Sequence, residues 1–377
     1  MEPRSGHQLD ELRKNMKKLK LIAIVLSVPF FAALIFRTQP TAAQTQTPPA
    51  QTQVETAGQK FKNIKVLNDM PADQLGKVMN LMSASLGVKC SFCHIVDEWA
   101  KDDKKEKATA REMMKMTLEI NKGHFEGKTE VTCATCHGGR EHPLSVPNLM
   151  PPTPEERPAQ PAVKPTMDQI LDKYVAASGG AAALQKVTSR TIKANRIEPN
   201  GKTTEPEMVY YKGNKYALTT TYPKAMVTEG FDGTNAWKRS DTGPIALTSD
   251  QAEQVKREAE LFDPSNLKAV FTKMDFRFVD RIDGREVYFV TASTAAGVRE
   301  RLYFDAETGF LVRRSAATPT VFGFFVYQVD YADYKDFGGV KLPTMIKYSM
   351  PNIRWTRQVL EVRNNAAIDD AKFTEPK

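Results

Sequence analysis

The sequence predicts an α+β protein of two domains, a small helical domain followed by an antiparallel β domain with a few helices. Three observations predict it. Apolar residues recur at helical spacing over two stretches before residue 148, a proline-rich run from Leu149 to Thr166 follows, and beyond Ser189 short β-branched and aromatic runs alternate with turn dipeptides. A chain of 377 residues has room for more than one core.

The first element is a leader. Arg13, Lys14, Lys17, Lys18 and Lys20 precede the uncharged run Leu21–Phe36, and small residues suited to signal peptidase come before Gln44. Residues 1–43 are therefore expected to be a signal peptide or an N-terminal membrane anchor, and the basic flank places the remainder of the chain outside the cytoplasm. Residues 44–59, mostly Thr, Gln, Pro and Ala, read as a disordered tether. The net charge is +8, but much of that excess lies in the leader. No basic stripe with interleaved aromatics remains elsewhere, which weakens a nucleic-acid reading, and no nucleic-acid partner is expected.

The helical domain is expected over residues 60–148. Pro71 opens a helix on which Leu75, Val78, Met79, Met82 and Leu86 share one stripe, and Gly87 closes it. CSFCH follows at 90–94. A second helix, ATAREMMKMTLEINKG, places Met113, Met116 and Ile120 on one face, and CATCH follows at 133–137. Two helix-turn-CxxCH units make an internal repeat.

All four cysteines of the chain lie in these two motifs. A CxxCH motif offers two thiols for thioether bonds to a haem and a histidine as proximal iron ligand. Cys90, Cys93 and His94 are thus assigned one covalent c-type haem, and Cys133, Cys136 and His137 another. A zinc ribbon or a pair of thioredoxin-like motifs would also use CxxC pairs. The histidine after each pair, the export signal and the lack of a βαβ frame favour haem.

Met79 and Met113 are chosen as distal ligands, since a thioether binds ferrous iron well and raises the potential toward that of an electron carrier. Met82, Met114 and Met116 are read as porphyrin-packing residues, with Met114 and Met116 as alternatives at the second iron. His124 and His142 are the candidates for bis-histidine ligation, and Arg140 for a haem propionate.

The segment from Lys65 to Arg140, with VMNLMSASLGVKCSFCH, DDKKEKATAREMMKM, LEINKGHF and VTCATCHGGR, closely resembles the cytochrome c subunit of photosynthetic reaction centres. The resemblance implies haems held on helix-turn-CxxCH units, mostly with a methionine from the preceding helix, which matches Met79 and Met113. The typical subunit has four haem sites and this chain has two, so photosynthesis is not carried over.

The β domain is expected over residues 167–377. MDQILDKYVAASGGAAALQKV suggests a helix, a break at Gly179–Gly180 and a second short helix. Strands come next, with hairpin corners at Asn200-Gly201, Asp283-Gly284 and Thr308-Gly309, and one helix from Ser249 to Leu261 interrupts them. The phrases ILDKYVAASGG, EGFDGTNAWK, RLYFDAETGFLVRR and DYKDFGGVKLP resemble the lipoprotein-carrier and outer-membrane lipoprotein-sorting group. That resemblance implies an antiparallel half-open barrel around an apolar groove, with a lipid or lipoprotein as occupant. Phe231, Trp237, Phe262, Phe322, Phe324 and Phe325 either line such a groove or fill an ordinary core. No His or Cys occurs after His142, so catalysis is not expected there.

The leading expectation is an electron carrier, not an enzyme, relaying single electrons between periplasmic or membrane partners. The alternatives are a lipid-binding β domain with a haem redox sensor, and a diheme peroxidase, which needs an open iron site.

Overall fold

The computed structural model describes residues 55–146, 158–204, 206–222 and 225–376. The expected leader and the first part of the linker lie outside them. Among the described residues no helix is long and apolar enough to cross a membrane.

The tether expected through residue 59 ends earlier. Thr56 caps helix α1 (Ala57–Lys60) in a reciprocal capping box with Gln59, and Ala57 is fully buried. Short side chains misled the composition argument, because a capped turn needs few apolar atoms to dock.

Helix α2 (Leu75–Leu86) ends on Gly87 at φ 67°. A Cβ there would lie 2.2 Å from the Gly139 carbonyl oxygen, so two loops meet where only glycine fits. Helix α3 (Lys105–His124) buries Lys107, Met114, Thr117 and Asn121 along one face. The short helix α4 (Cys133–His137) carries the second motif and packs on α2. The two helix-turn-CxxCH units therefore interlock rather than stand side by side.

The linker expected to end at Thr166 is docked over its last part. Gln160 donates to the Val279 carbonyl at 3.0 Å and accepts from the Val279 N–H at 2.7 Å, and Pro158 is buried. Its side-chain amide thus satisfies backbone groups as another strand would. Thr166 then caps helix α5 (Met167–Ala177), and α6 (Ala181–Leu184) follows the Gly179–Gly180 break.

One thirteen-stranded antiparallel sheet makes up the rest. The first meander runs through β1 (Ser189–Ile197), β2 (Glu207–Lys212), β3 (Lys215–Tyr222), β4 (Ala225–Phe231), β5 (Ala236–Ser240) and β6 (Gly243–Pro244). Helices α7 (Ser249–Glu260) and α8 (Leu267–Val270) then lead to a second meander. It comprises β7 (Phe271–Ile282), β8 (Arg285–Thr294), β9 (Arg299–Asp305), β10 (Leu311–Thr320), β11 (Gly323–Asp336), β12 (Lys341–Ser349) and β13 (Arg354–Asn364). The order is β6-β5-β4-β3-β2-β1-β13-β12-β11-β10-β9-β8-β7, so the first and last strands pair at the centre. The sheet stays open at β6 and β7. Asp283 and Gly284, both at positive φ, form the two-residue β7–β8 turn the sequence announces.

Two of the cores on the sheet are covered by helices. Ile170, Leu171 and Tyr174 of α5 pack on Val290, Leu302, Phe304 and Leu311, while Val255 and Ala259 of α7 pack on Val209, Tyr216, Leu218 and Phe231. The helical part has its own core of Leu67, Met70, Val78 and Met114, and Phe322 belongs to it. Phe322 sits at the β10–β11 turn and is 2 % exposed. The sheet thus reaches into the helical part with one aromatic side chain, and Lys77 of α2 pairs with Asp250 of α7 at 2.5 Å.

Candidate haem-binding site

The first motif borders a cavity of about 480 Å³, within the range of about 300–1,000 Å³ usual for ligand and cofactor pockets. Cys90, Cys93 and His94 line it from one side. Leu75, Met79, Met82 and Leu86 of α2 line it from another, and Ala110, Arg111 and Met114 of α3 complete it. The stripe expected on α2 therefore faces the motif that comes after it.

His94 is oriented by its own loop. Its Nδ1 lies 3.2 Å from the Trp99 carbonyl oxygen, which holds the proton on Nδ1 and leaves Nε2 free as a ligand. Lys107 donates to the same Trp99 carbonyl at 2.9 Å and to the Lys101 carbonyl at 2.6 Å. Asp102 closes the loop, accepting from both terminal nitrogens of Arg111 at 2.9 Å and from Asn63 at 2.8 Å. Those hydrogen bonds hold the Asp102 carboxyl well below the usual carboxylate range. Burial lowers the pKa of His94; the Trp99 carbonyl opposes this and Lys107, Arg111 and Lys104 add to it. The net lowering favours the neutral imidazole, the form that binds iron. Burial also raises the Cys93 thiol, with Glu106 contributing.

The second motif is built differently. Thr132 caps α4, accepting from the Thr135 N–H at 3.3 Å while Thr135 accepts from the Thr132 N–H at 3.0 Å, and Gly138 ends the turn at φ 55°. His137 Nδ1 lies 3.0 Å from the Arg140 carbonyl oxygen, so this imidazole also turns its Nε2 outward. Asn121 of α3 ties the preceding loop down, accepting from the Val131 N–H at 2.9 Å and donating to its carbonyl at 2.7 Å. Gly139 donates to the Ser85 carbonyl of α2 at 2.8 Å. Cys133 packs against the helical core, whereas Cys136 is exposed.

The methionines divide by helix face. Met114 lines the first cavity with Met79 and Met82. Met113 and Met116 lie on the opposite, solvent-facing side at 40 % and 42 % exposure. The sequence could not separate them, because three methionines within four residues cover more than one helix face. His142 is exposed beside Glu141, and His124 is exposed at the end of α3. Arg140 is exposed as well. Sequence reasoning missed Asn63, Asp102, Lys107 and Arg111, whose polar types carry no pattern until the loop is folded.

The residues at the first site fit a porphyrin. Two thiols and an imidazole with free Nε2 border an apolar space lined by three thioethers. The two cysteine pairs do not converge into a zinc site: among the described residues no cluster of three or more His, Cys, Asp or Glu is placed to hold a metal ion.

The aromatic residues considered for a groove in the sheet also divide. Phe231 is a core residue, and the Trp237 indole donates to the Phe373 carbonyl at 2.7 Å. Phe322 leaves the sheet for the helical core, and Phe324 is 62 % exposed. Of the six, Phe262 borders a cavity in the sheet. Alternation along β11 is overridden by the turn, which points Phe322 away from the sheet.

Known proteins resemble parts of this chain. Residues 32–208 match the family described as the photosynthetic reaction centre cytochrome C subunit, so this stretch is similar to that family. The photosynthetic reaction center cytochrome c subunit of Thermochromatium tepidum is 31 % identical over 101 residues, 26 % of this chain and 25 % of that protein. Cytochrome c-554 of Chloroflexus aurantiacus is 32 % identical over 89 residues, 22 % of this chain and 21 % of that protein. The chain thus spans about a quarter of the length of the curated relatives it matches. Among solved structures, a LolA superfamily protein from Nitrosomonas europaea is similar at 14 % identity and TM-score 0.39, covering 56 % of this chain and 99 % of its own. A lipoprotein-sorting protein domain from Vibrio parahaemolyticus gives 8 % and 0.39 over 54 % of this chain and 97 % of its own.

Proposed function

We propose that this chain is an exported electron carrier, with two covalent c-type haems that relay single electrons between periplasmic or membrane partners. The observation that carries the reading is the first site: Cys90, Cys93 and an imidazole whose Nδ1 is already bonded face one apolar cavity together with Met79. When bound, the haem iron supplies the one-electron couple. The chain's part is to tether, orient and exclude water. His94 and His137 would each offer Nε2 to a haem iron, and Met79 would offer a thioether to the first. Met113 is retained at the second iron, with Met116 as its alternative on the same face. Thioethers at both irons would fill the position that a peroxidase keeps open.

Export rests on the leader reading, and the charge of the helical part names no partner by sign. The sheet serves as a rigid partner to the haem segment through Phe322. A long acyl chain is a poor fit for the sheet, since the cavity there is about 140 Å³. The test is maturation of the full chain in a host that attaches c-type haem. Two haems per chain, covalently held and silent toward peroxide, support the reading; a colourless protein, or one that turns over peroxide, overturns it.

A further inference from the structure

The sheet borders a cavity of about 140 Å³ that the haem sites do not use. Arg190, Arg314 and Arg357 line it, each buried at 3 %, 4 % and 7 % exposure. Two of these cations are neutralised. Arg314 pairs with Glu258 at 2.6 Å, and Arg357 pairs with Glu207 at 2.7 Å and donates to the Tyr348 hydroxyl at 2.8 Å.

Arg190 is not. Its Nε donates at 2.7 Å to Asn364, its cross-strand neighbour on β13, and the guanidinium lies over the Phe262 ring at 4.7 Å. Among the described residues its two terminal nitrogens have no hydrogen-bond partner, and no carboxylate comes within ion-pairing distance of it. Asp263 also borders the cavity, but its carboxylate accepts from the Ser265 N–H at 2.8 Å and acts on Arg190 only through space. Burial lowers the Arg190 guanidinium to about 10, with Tyr211 and Asp263 opposing. A buried cation without a counter-charge is strongly unfavourable. Its two free nitrogens, side by side on a planar fork, match the two oxygens of a carboxylate.

We propose that this cavity binds an organic monocarboxylate about the size of benzoate. Its oxygens take the terminal nitrogens of Arg190, and its apolar body lies among Leu261, Leu302, Leu311 and Ile346. The volume sets the size, because an apolar cavity of about 150 Å³ accommodates benzene. This site stands independently of the haem reading.

The experiment is calorimetric titration of the haem-loaded full chain with benzoate, hexanoate and inorganic phosphate. One carboxylate per chain should bind saturably, at least tenfold more tightly than phosphate. Arg190→Met should weaken benzoate at least tenfold while the ligand-free protein melts no lower, since an unpaired buried charge is removed. Asn364→Asp supplies a counter-charge beside Arg190 and should weaken benzoate to a similar degree, which keeps the test available if the first variant folds poorly. No saturable carboxylate binding, phosphate bound as tightly as benzoate, or unchanged affinity in either variant would overturn the proposal.

Discussion

His94 faces a cavity walled by two helices, whereas His137 sits on a five-residue helix, and one cysteine of each motif, Cys90 and Cys136, meets solvent. Both motifs have the same spacing, and in both a backbone carbonyl orients the imidazole through Nδ1. The first is enclosed by residues from α2, α3 and the loop before α2, while Met113 and Met116 on the other side of α3 remain exposed. The spacing of a motif thus governs attachment, and the elements packed around it govern solvent access. Solvent access and axial ligation set the potential of a haem, so two similar motifs in one chain are expected to make two unequal centres.

The largest effect expected from breaking this comparison is all-or-none. Replacing Cys90 and Cys93 with Ala should leave one covalent haem of two, read by haem quantification and intact mass, and the same change at Cys133 and Cys136 should remove the other. Met79→Ala should then lower the potential of one centre by on the order of 0.1 V, within the span of about 0.8 V that axial ligands command. Met113→Ala should act on the other centre, and Met114→Ala should perturb the spectrum of the first centre only.

Phe322 tests whether the two centres share one foundation, since its cluster includes Met79, Met114 and Cys133. Phe322→Ala should destabilise the chain by about 3–5 kcal/mol in a thermal or denaturant melt, and it should disturb both haems rather than one. A change confined to one spectrum would show that the centres are supported separately.

The smallest effect concerns Asp102, which closes the loop behind His94 alone. Its pKa is depressed in the folded chain by Arg111, Asn63 and Lys107, so its contribution is present above about pH 4 and is lost as the pH falls through the lower folded value. Asp102→Asn should therefore make the first centre change its spectrum at a higher pH than wild type on acid titration. The second centre should titrate as before.

Much of this was legible in the sequence because it is local. The CxxCH spacings, the α2 stripe ending on Gly87 and the Asp283-Gly284 corner each depend on neighbours within a few residues, where covalent geometry and helical or strand periodicity decide the outcome. Residue type and spacing also marked the change from helices to an antiparallel sheet. Contacts between distant parts of the chain were not legible: the side of α3 on which Met114 falls, the passage of Phe322 out of the sheet, the Asp102 hub and the unpaired state of Arg190. Each brings together residues far apart along the chain or chooses between faces that sequence periodicity treats alike. Only packing, which removes a side chain from water on one face and leaves its neighbour exposed, decides between them.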